Sequence, residues 1–361
     1  MKFRMPVYKA PDFQAETFRD CPDIVAQPVV RSGAAPENYH ATTIFPEYYK
    51  IGGCWTLLQE SRMDGVVVLS ENGTLEVREF RRLISGDHVI VGRTEDGSDG
   101  IYVHADGFHL ETADAETFAF RTGRSRETSY SRDYDRLYEL LRFEKDHGYI
   151  VWVLGPAVVF DSDSKQAMIS LIENGYVDAI LAGNALATHD LEGALFKTAL
   201  GQDIYTQVSV PGGHYHHLDV LNQARNHASL AEFVAAKNIR NSVVSACVQA
   251  GVPMILAGSI RDDGPLPEVV ADVYAAQNAM RQQAKKATTV ICLATQLHSI
   301  ATGNMTPAYQ VVDDVVRPVF IYSVDVSEFA VNKLKDRGTL EVTSIVTNIQ
   351  DFLVHIERGL V

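Results

Sequence analysis

The sequence predicts an α/β protein, a doubly wound parallel sheet preceded by a smaller β-rich domain, and three observations carry that prediction. Four short apolar runs from residue 151 onward each end in glycine or a small polar residue: Val151-Trp152-Val153-Leu154-Gly155-Pro156, Ala179-Ile180-Leu181-Ala182-Gly183-Asn184, Met254-Ile255-Leu256-Ala257-Gly258-Ser259 and Val290-Ile291-Cys292-Leu293-Ala294-Thr295. Parallel strands buried on both faces have this unbroken apolar character. Helix-like segments alternate with these runs, which favours right-handed crossovers in one sheet. The first third instead shows short alternating runs divided by turn signals.

Taken in order, the elements are as follows. Strands are expected at 66–69, 75–80 and 88–92, separated by Glu71-Asn72-Gly73, Ser85-Gly86-Asp87 and the turn at 96–100. A polar loop at 121–128 leads to a helix over 133–147, where Tyr134, Leu137, Tyr138 and Leu141 fall at helical spacing. The expected boundaries are a β-rich cap domain over 1–125, a linking helix over 126–149 and a Rossmann-like nucleotide-binding domain over 150–361. Within the last, helices are expected at 163–173 (stopped by Gly175), 186–197, 218–227, 230–237, 241–250, 268–286, 326–335 and 349–358, with late strands at 319–323 and 342–346.

Bulk composition narrows the function classes. The 361 residues are 46% hydrophobic and 22% charged, with a formal charge of −14. No apolar stretch approaches the ~20 residues of a membrane span and the start lacks a signal-peptide core, so a cytoplasmic protein with no membrane partner is expected. An acidic surface without a Lys/Arg cluster repels a phosphate backbone, so no nucleic acid partner is expected. Cys21, Cys54, Cys247 and Cys292 are scattered, which indicates neither a disulfide framework nor a zinc site.

Ligands of open α/β sheets bind outside the carboxyl ends of the strands, so the segments after each run are the candidate contacts. These are Gly155, Pro156 and Ala157; Gly183, Asn184 and Ala185; Gly258, Ser259 and Ile260; and Thr295, His298 and Ser299. No G-x-G-x-x-G follows the first strand, yet strand-end glycines still let backbone amides approach a pyrophosphate at a helix amino terminus. Asn184 reads either as a ligand hydrogen-bonder or as an N-cap, and His298-Ser299 likewise. His189 beside Asp190 is a candidate proton-transfer pair, although adjacent helix residues point about 100° apart. Asp262 and Asp263 can supply both a base and an anion for a cationic substrate, with Arg261 beside them for a carboxylate; the alternative is a solvated turn into Gly264-Pro265. Beside His214, His216 and His217 only Asp219 lies close enough to complete a ligand set, so a loop touching substrate or cofactor is expected rather than a metal. Asp325, ending a late strand, can accept from a ribose hydroxyl, which matches NAD better than NADP, or can cap a turn.

Several of these segments resemble one family. The segments 181–192, 213–218, 256–267 and 293–304, together with Val324-Asp325, the basic stretch 333–338, His40-Ala41-Thr42-Thr43 and Met63-Asp64-Gly65, closely resemble the archaeal-type ornithine cyclodeaminases. That family is built around the LOR/SDH region and also supplies the carboxyl-terminal half of some cyanobacterial arginine-degrading enzymes. The likeness starts at the family's middle domain, with about forty residues before His40, so the additional α+β domain that usually opens the family is expected to be missing. Ile44-Phe45 stand where ornithine-using members carry Asn-His.

The resemblance implies a tightly held NAD in a nucleotide-binding domain of the deoxyhypusine synthase type, in a homo-oligomer acting on a small basic amino acid. Ornithine would lose hydride from its α-carbon, be attacked there by its own δ-amine, release ammonia and regain hydride as proline. Thr42, Thr43 and Asp64 are the matched positions expected to close the substrate pocket. The alternatives are a net NAD-dependent amino-acid or opine-type oxidoreductase, and a non-catalytic NAD-linked sensor.

Overall fold

The computed structural model describes residues 3–109, 131–260, 264–327 and 340–361. The loop expected at 121–128, Arg261, Asp262 and Asp263, all but the first two residues of the helix expected at 326–335, and the basic segment 333–338 lie outside the described residues.

Six parallel strands form the main sheet: β1 (Ile150–Leu154), β2 (Ala179–Gly183), β3 (Met254–Ala257), β4 (Thr289–Leu293), β5 (Phe320–Asp325) and β6 (Glu341–Val346). Their spatial order is β3-β2-β1-β4-β5-β6. That is the strand order of dinucleotide-binding doubly wound folds, with the winding direction reversing between β1 and β4.

The unbroken apolar runs follow from burial on both faces. Trp152, Leu154, Ile180, Leu256, Ile291, Tyr322 and Ile345 enter one core, whereas Val151, Val153, Leu181, Val290, Cys292 and Ile321 enter the other. Helices α1 (Ser131–His147), α2 (Ser162–Glu173), α3 (Asn184–Phe196), α4 (His216–Ala224), α5 (Leu230–Ala236) and α6 (Val243–Ala250) build on the first face. The second face carries α7 (Val273–Ala284) and α8 (Gln296–Met305), and α9 (Ile349–Leu360) returns to the first, against α2. Local signals set several ends: Asp161 accepts from Ser164 N (2.9 Å) to cap α2, and Gly251 (φ 68) closes α6 in the left-handed region that glycine tolerates.

Three differences from the expected elements have physical reasons. Helix α7 starts later than expected, at Val273, because Val270 N donates to Leu256 O and Gly258 N to Val270 O, which extends the rim of β3. Helix α8 is not signalled by its polar sequence; Ala301 and Met305 hold it to the second core. The helix over 131–147 is more than a linker, since Leu137, Leu140 and Leu141 are part of the first core.

The amino-terminal region forms small antiparallel sheets. One orders Val25–Pro28, His88–Val91, Val66–Leu69 and Leu75–Arg78; another orders Cys54–Leu57, Glu47–Ile51 and Ile101–Val103. It is fastened to the sheet domain by Glu79, whose carboxylate is shared between Arg62 (2.8 Å) and Arg281 of α7 (2.5 Å). Burial, opposed by the attraction of Glu79, lowers the Arg281 pKa to about 10. A hairpin, Tyr309–Val312 with Val315–Pro318, adds a second fastening through Ala308 N to Ser61 O (2.8 Å) and Tyr309 hydroxyl to Leu58 O (2.5 Å).

Candidate functional site

The reversal point shapes a crevice. Gly155 N donates to Leu293 O (2.8 Å), the last link between β1 and β4, after which the two chains part. One enters a turn over Pro156–Val159; the other passes through Ala294 (φ 50) into α8. A Cβ on Gly155 would stand 2.0 Å from Ala294 O, so this crossing requires glycine.

A cavity of about 130 Å³ opens beyond that crossing. Its walls are Leu154, Gly155 and Pro156 after β1, Gly183 to Leu186 after β2, Ala257 and Ser259 after β3, and Thr295 with His298 after β4. Helices α3 and α8 both begin here, and neither Gly183 nor Thr295 makes a side-chain cap. Uncapped helix amino termini leave amide hydrogens for an anionic ligand, reinforced by the helix dipoles. A larger groove of about 550 Å³ lies against Thr56, Glu60, Glu76 and Gln310. It is away from the strand ends, so the smaller crevice is the candidate site.

Most candidate cofactor contacts meet in this crevice. A Cβ on Gly183 would sit 3.0 Å from His298 Cε1, so the bare glycine is what lets the imidazole cover the end of β2. Burial lowers the His298 pKa from its ordinary value, and the ring is neutral at pH 7. Asn184 is buried, and its Oδ1 accepts from Leu266 N (3.0 Å), pinning the loop after β3 over the crevice. The amide thus braces a wall rather than capping its helix.

Other candidates have different surroundings. Ala157 lies within the turn after β1, and Ile260 projects fully into solvent beside the crevice. Gly258 N is engaged by Val270 O. The Ser299 side chain hydrogen-bonds Cys292, whose thiol burial pushes up to about 12, so it turns into the second core. Asp325 accepts from Ser327 N (2.9 Å), which fits the turn-capping alternative at the end of β5.

Asp190 corrects a sequence expectation. Its carboxylate is fully buried, lies 3.3 Å from Lys165 of α2 and accepts from Val244 N of α6 (2.9 Å). It ties three helices together and lines no part of the crevice. His189 pairs instead with Glu192, at 2.8 Å. Glu192 is absent from the candidates read in the sequence; its one local signal is the His-x-x-Glu spacing, which puts both side chains on one helix face.

The histidine cluster is corrected as well. His216 opens α4 rather than lying in a loop, stacks on Phe196 (4.7 Å) and hydrogen-bonds Thr198 (2.8 Å), while His214 is exposed against Tyr215. Among the described residues no group of three or more His, Cys, Asp or Glu could hold a metal ion.

In the amino-terminal region, Thr42 and Asp64 share one loop junction. The Thr42 hydroxyl donates to Arg62 O (2.6 Å) and accepts from Gly65 N (3.1 Å), and Asp64 beside it is exposed at φ 64. Thr43 is held through its amide by buried Glu47 (2.5 Å). This junction meets the chain at Ala308, past the far end of α8, whereas His298 is at its start; a helix of that length spans about 15 Å. The three residues are braced within their own region, and none of them is among the crevice walls named above.

Comparisons with known proteins agree with this geometry. Residues 137–356 match the family model described as arginine dihydrolase ArgZ-like, C-terminal, Rossmann fold. The chain is 36% identical over 342 residues to an ornithine cyclodeaminase of Methanocaldococcus jannaschii, covering 92% of this chain and 76% of that protein. It is 36% identical over 343 residues to the bifunctional arginine dihydrolase/ornithine cyclodeaminase AgrE of a Nostoc species, covering 94% of this chain but only 47% of that one, about half its length. The crystal structure of a conserved LOR/SDH protein from Methanococcus maripaludis S2 superposes with a TM-score of 0.83 at 32% identity, covering 94% and 98% of the two chains. A ternary complex of AgrE with ornithine and NAD+ superposes with a TM-score of 0.59 at 34% identity, over 94% of this chain and 46% of that one. A crevice at the reversal point of a six-stranded sheet and a matched segment spanning that whole sheet lead to one conclusion: the chain belongs to the ArgZ-like C-terminal Rossmann-fold family.

Proposed function

We propose that this protein is an NAD-dependent ornithine cyclodeaminase-like ammonia-lyase that converts a small basic amino acid, ornithine first, to the cyclic amino acid and ammonia. The observation that carries the reading is the crevice between β1 and β4, where two helix amino termini and the bare Gly155 and Gly183 converge. A side chain at either glycine would fill or distort it, as expected of a surface kept open for a flat, anionic ligand. The family resemblance implies a nucleotide domain of the deoxyhypusine synthase type, and no G-x-G-x-x-G follows β1.

NAD, when bound, supplies a reversible hydride acceptor, which makes the overall conversion redox-neutral. The chain's own residues do the rest. The amides opening α3 and α8 hold the pyrophosphate, and Thr295 and neutral His298 offer hydrogen bonds without a second positive charge near the nicotinamide. Asp325 accepts from a ribose hydroxyl. Asp262 and Asp263 hold the substrate's cationic end and take a proton from it, with Arg261 for the carboxylate. Thr42, Thr43 and Asp64 belong to the cap, a β-rich unit over 1–125 joined by 126–149 to the nucleotide domain over 150–361.

Purified protein incubated with ornithine, lysine or arginine and substoichiometric NAD is expected to release ammonia and cyclic product over many turnovers with no accumulation of NADH. NADH rising in proportion to product would replace this reading with the net oxidoreductase. Dinucleotide binding without any product would replace it with a sensor.

A further inference from the structure

The reaction proposed above needs two nitrogens to be neutral in turn, the α-amine while its carbon loses hydride and the second amine when it attacks. Two proton transfers off nitrogen are therefore involved. The structure offers a proton acceptor in α3, next to a carboxylate that faces no arginine or lysine among the described ion pairs.

Glu192 is fully buried, yet four donors converge on it. Its Oε2 accepts from the His189 ring at Nδ1 (2.8 Å) and Leu200 N (3.3 Å); its Oε1 accepts from the Thr198 hydroxyl (2.9 Å) and Gly201 N (3.1 Å). Burial raises the carboxyl pKa, but the bonds from His189, Gly201 and Thr198 outweigh it and hold the group below the usual carboxyl range. An ionised carboxylate has only lone pairs to offer, so the hydrogen of the short contact must sit on His189 Nδ1. In the neutral ring that leaves Nε2 as a bare acceptor. The same logic extends outward: Thr198 gives its one hydrogen to Glu192 and therefore accepts from His216 Nδ1 at 2.8 Å.

His189 lies one helical turn beyond the crevice wall. Ala185, which lines the crevice, lies four residues earlier on the same helical face. On the facing side the turn that begins at crevice-lining Pro156 ends beside Phe160, whose ring meets His189 edge-on at 5.5 Å. The imidazole is 12% exposed. The titratable groups facing it are Glu192 on its own helix and His217 on α4, at 6.2 Å between ring centroids, with His216 one hydrogen bond removed through Thr198.

We infer that Glu192 is a positioning residue that locks His189 in the Nδ1–H form, so that His189 Nε2 accepts the proton of one substrate ammonium and returns it to the departing nitrogen. The nitrogen leaves as ammonia and the ring ends neutral, so protons balance without another reactant. This assignment rests on the cyclodeaminase reading.

The test has two parts. Nitrogen-15 NMR of histidine-labelled protein, with the His189 signals assigned by their loss in His189→Gln, is expected to show a protonated Nδ1 and an unprotonated Nε2 in the parent. In Glu192→Gln the tautomers should mix, and the acidic limb of the kcat against pH profile should move while NAD affinity stays within about twofold. His189→Gln should lower kcat by about 100-fold or more, the span of general acid–base contributions, at unchanged NAD affinity and unfolding midpoint. A parent His189 protonated on Nε2, or His189→Gln turning over at the parental rate, overturns the inference. A parent inactive on every basic amino acid overturns the proposed reaction instead, and the tautomer measurement still decides the role of Glu192.

Discussion

Two glycines at the strand rim make opposite predictions when each gains one methyl group. In Gly155→Ala the new carbon stands 2.0 Å from the backbone oxygen of Ala294 and 2.7 Å from its carbonyl carbon. Neither atom belongs to a side chain that can swing away. Ordinary carbon contacts are about 3.5 Å, so the ends of β1 and β4 must separate by more than about 1 Å. That separation breaks the 2.8 Å bond from Gly155 N to Leu293 O. The lost bond costs about 0.5–1.5 kcal/mol and the overpacking about 1–3 kcal/mol, so a loss of about 2–4 kcal/mol is expected. Gly183→Ala meets only the His298 ring edge, at 3.0 Å, and its backbone (φ −96) suits any residue. Its stability should stay within about 1 kcal/mol of the parent, while the displaced ring weakens NAD binding about tenfold, or about 1.4 kcal/mol. Urea unfolding and NAD titration calorimetry on both variants measure the contrast. Equal stability losses, or a Gly155→Ala protein with the parental midpoint, would refute the rim geometry.

Three further outcomes are expected. Asp190→Asn leaves Lys165 charged and unpaired among α2, α3 and α6, so unfolding should cost about 3–5 kcal/mol less while the folded fraction binds NAD and turns over normally; a catalytic Asp190 would instead lose turnover at parental stability. His298 has a folded pKa below 6.5, so the unfolded chain binds its proton more readily. Its contribution to stability is therefore complete above pH 6.5 and declines as pH falls toward the folded value, a slope that chemical denaturation at several pH values should find in the parent and not in His298→Asn. Asp263→Asn should abolish ammonia release from ornithine and leave NAD affinity within about twofold; turnover at the parental rate would remove it from the mechanism.

The main strands were legible because burial on both faces writes an unbroken apolar run into each of them, and the glycine or small residue after each run marked where the strand ends at the crevice. Helix α8 was not legible: Gln296, His298, Ser299, Thr302 and Asn304 give a polar text, and the helix exists because Ala301 and Met305 join the second core, over β1 and β2. Gly183, Asn184, Thr295 and His298 wall one crevice in the structure. The individual pairings were not legible in the sequence.

The sequence by itself determined which segments become strands, where their carboxyl ends fall and hence which short stretches gather at that edge of the sheet, since these depend on neighbours a few residues apart. Tertiary structure decided the β3-β2-β1-β4-β5-β6 order, the engagement of Asp190 by Lys165 twenty-five residues away, and the gathering of His189, Thr198 and Gly201 on Glu192. A buried charge must find its partner wherever the fold provides one, and no local pattern says which partner that is.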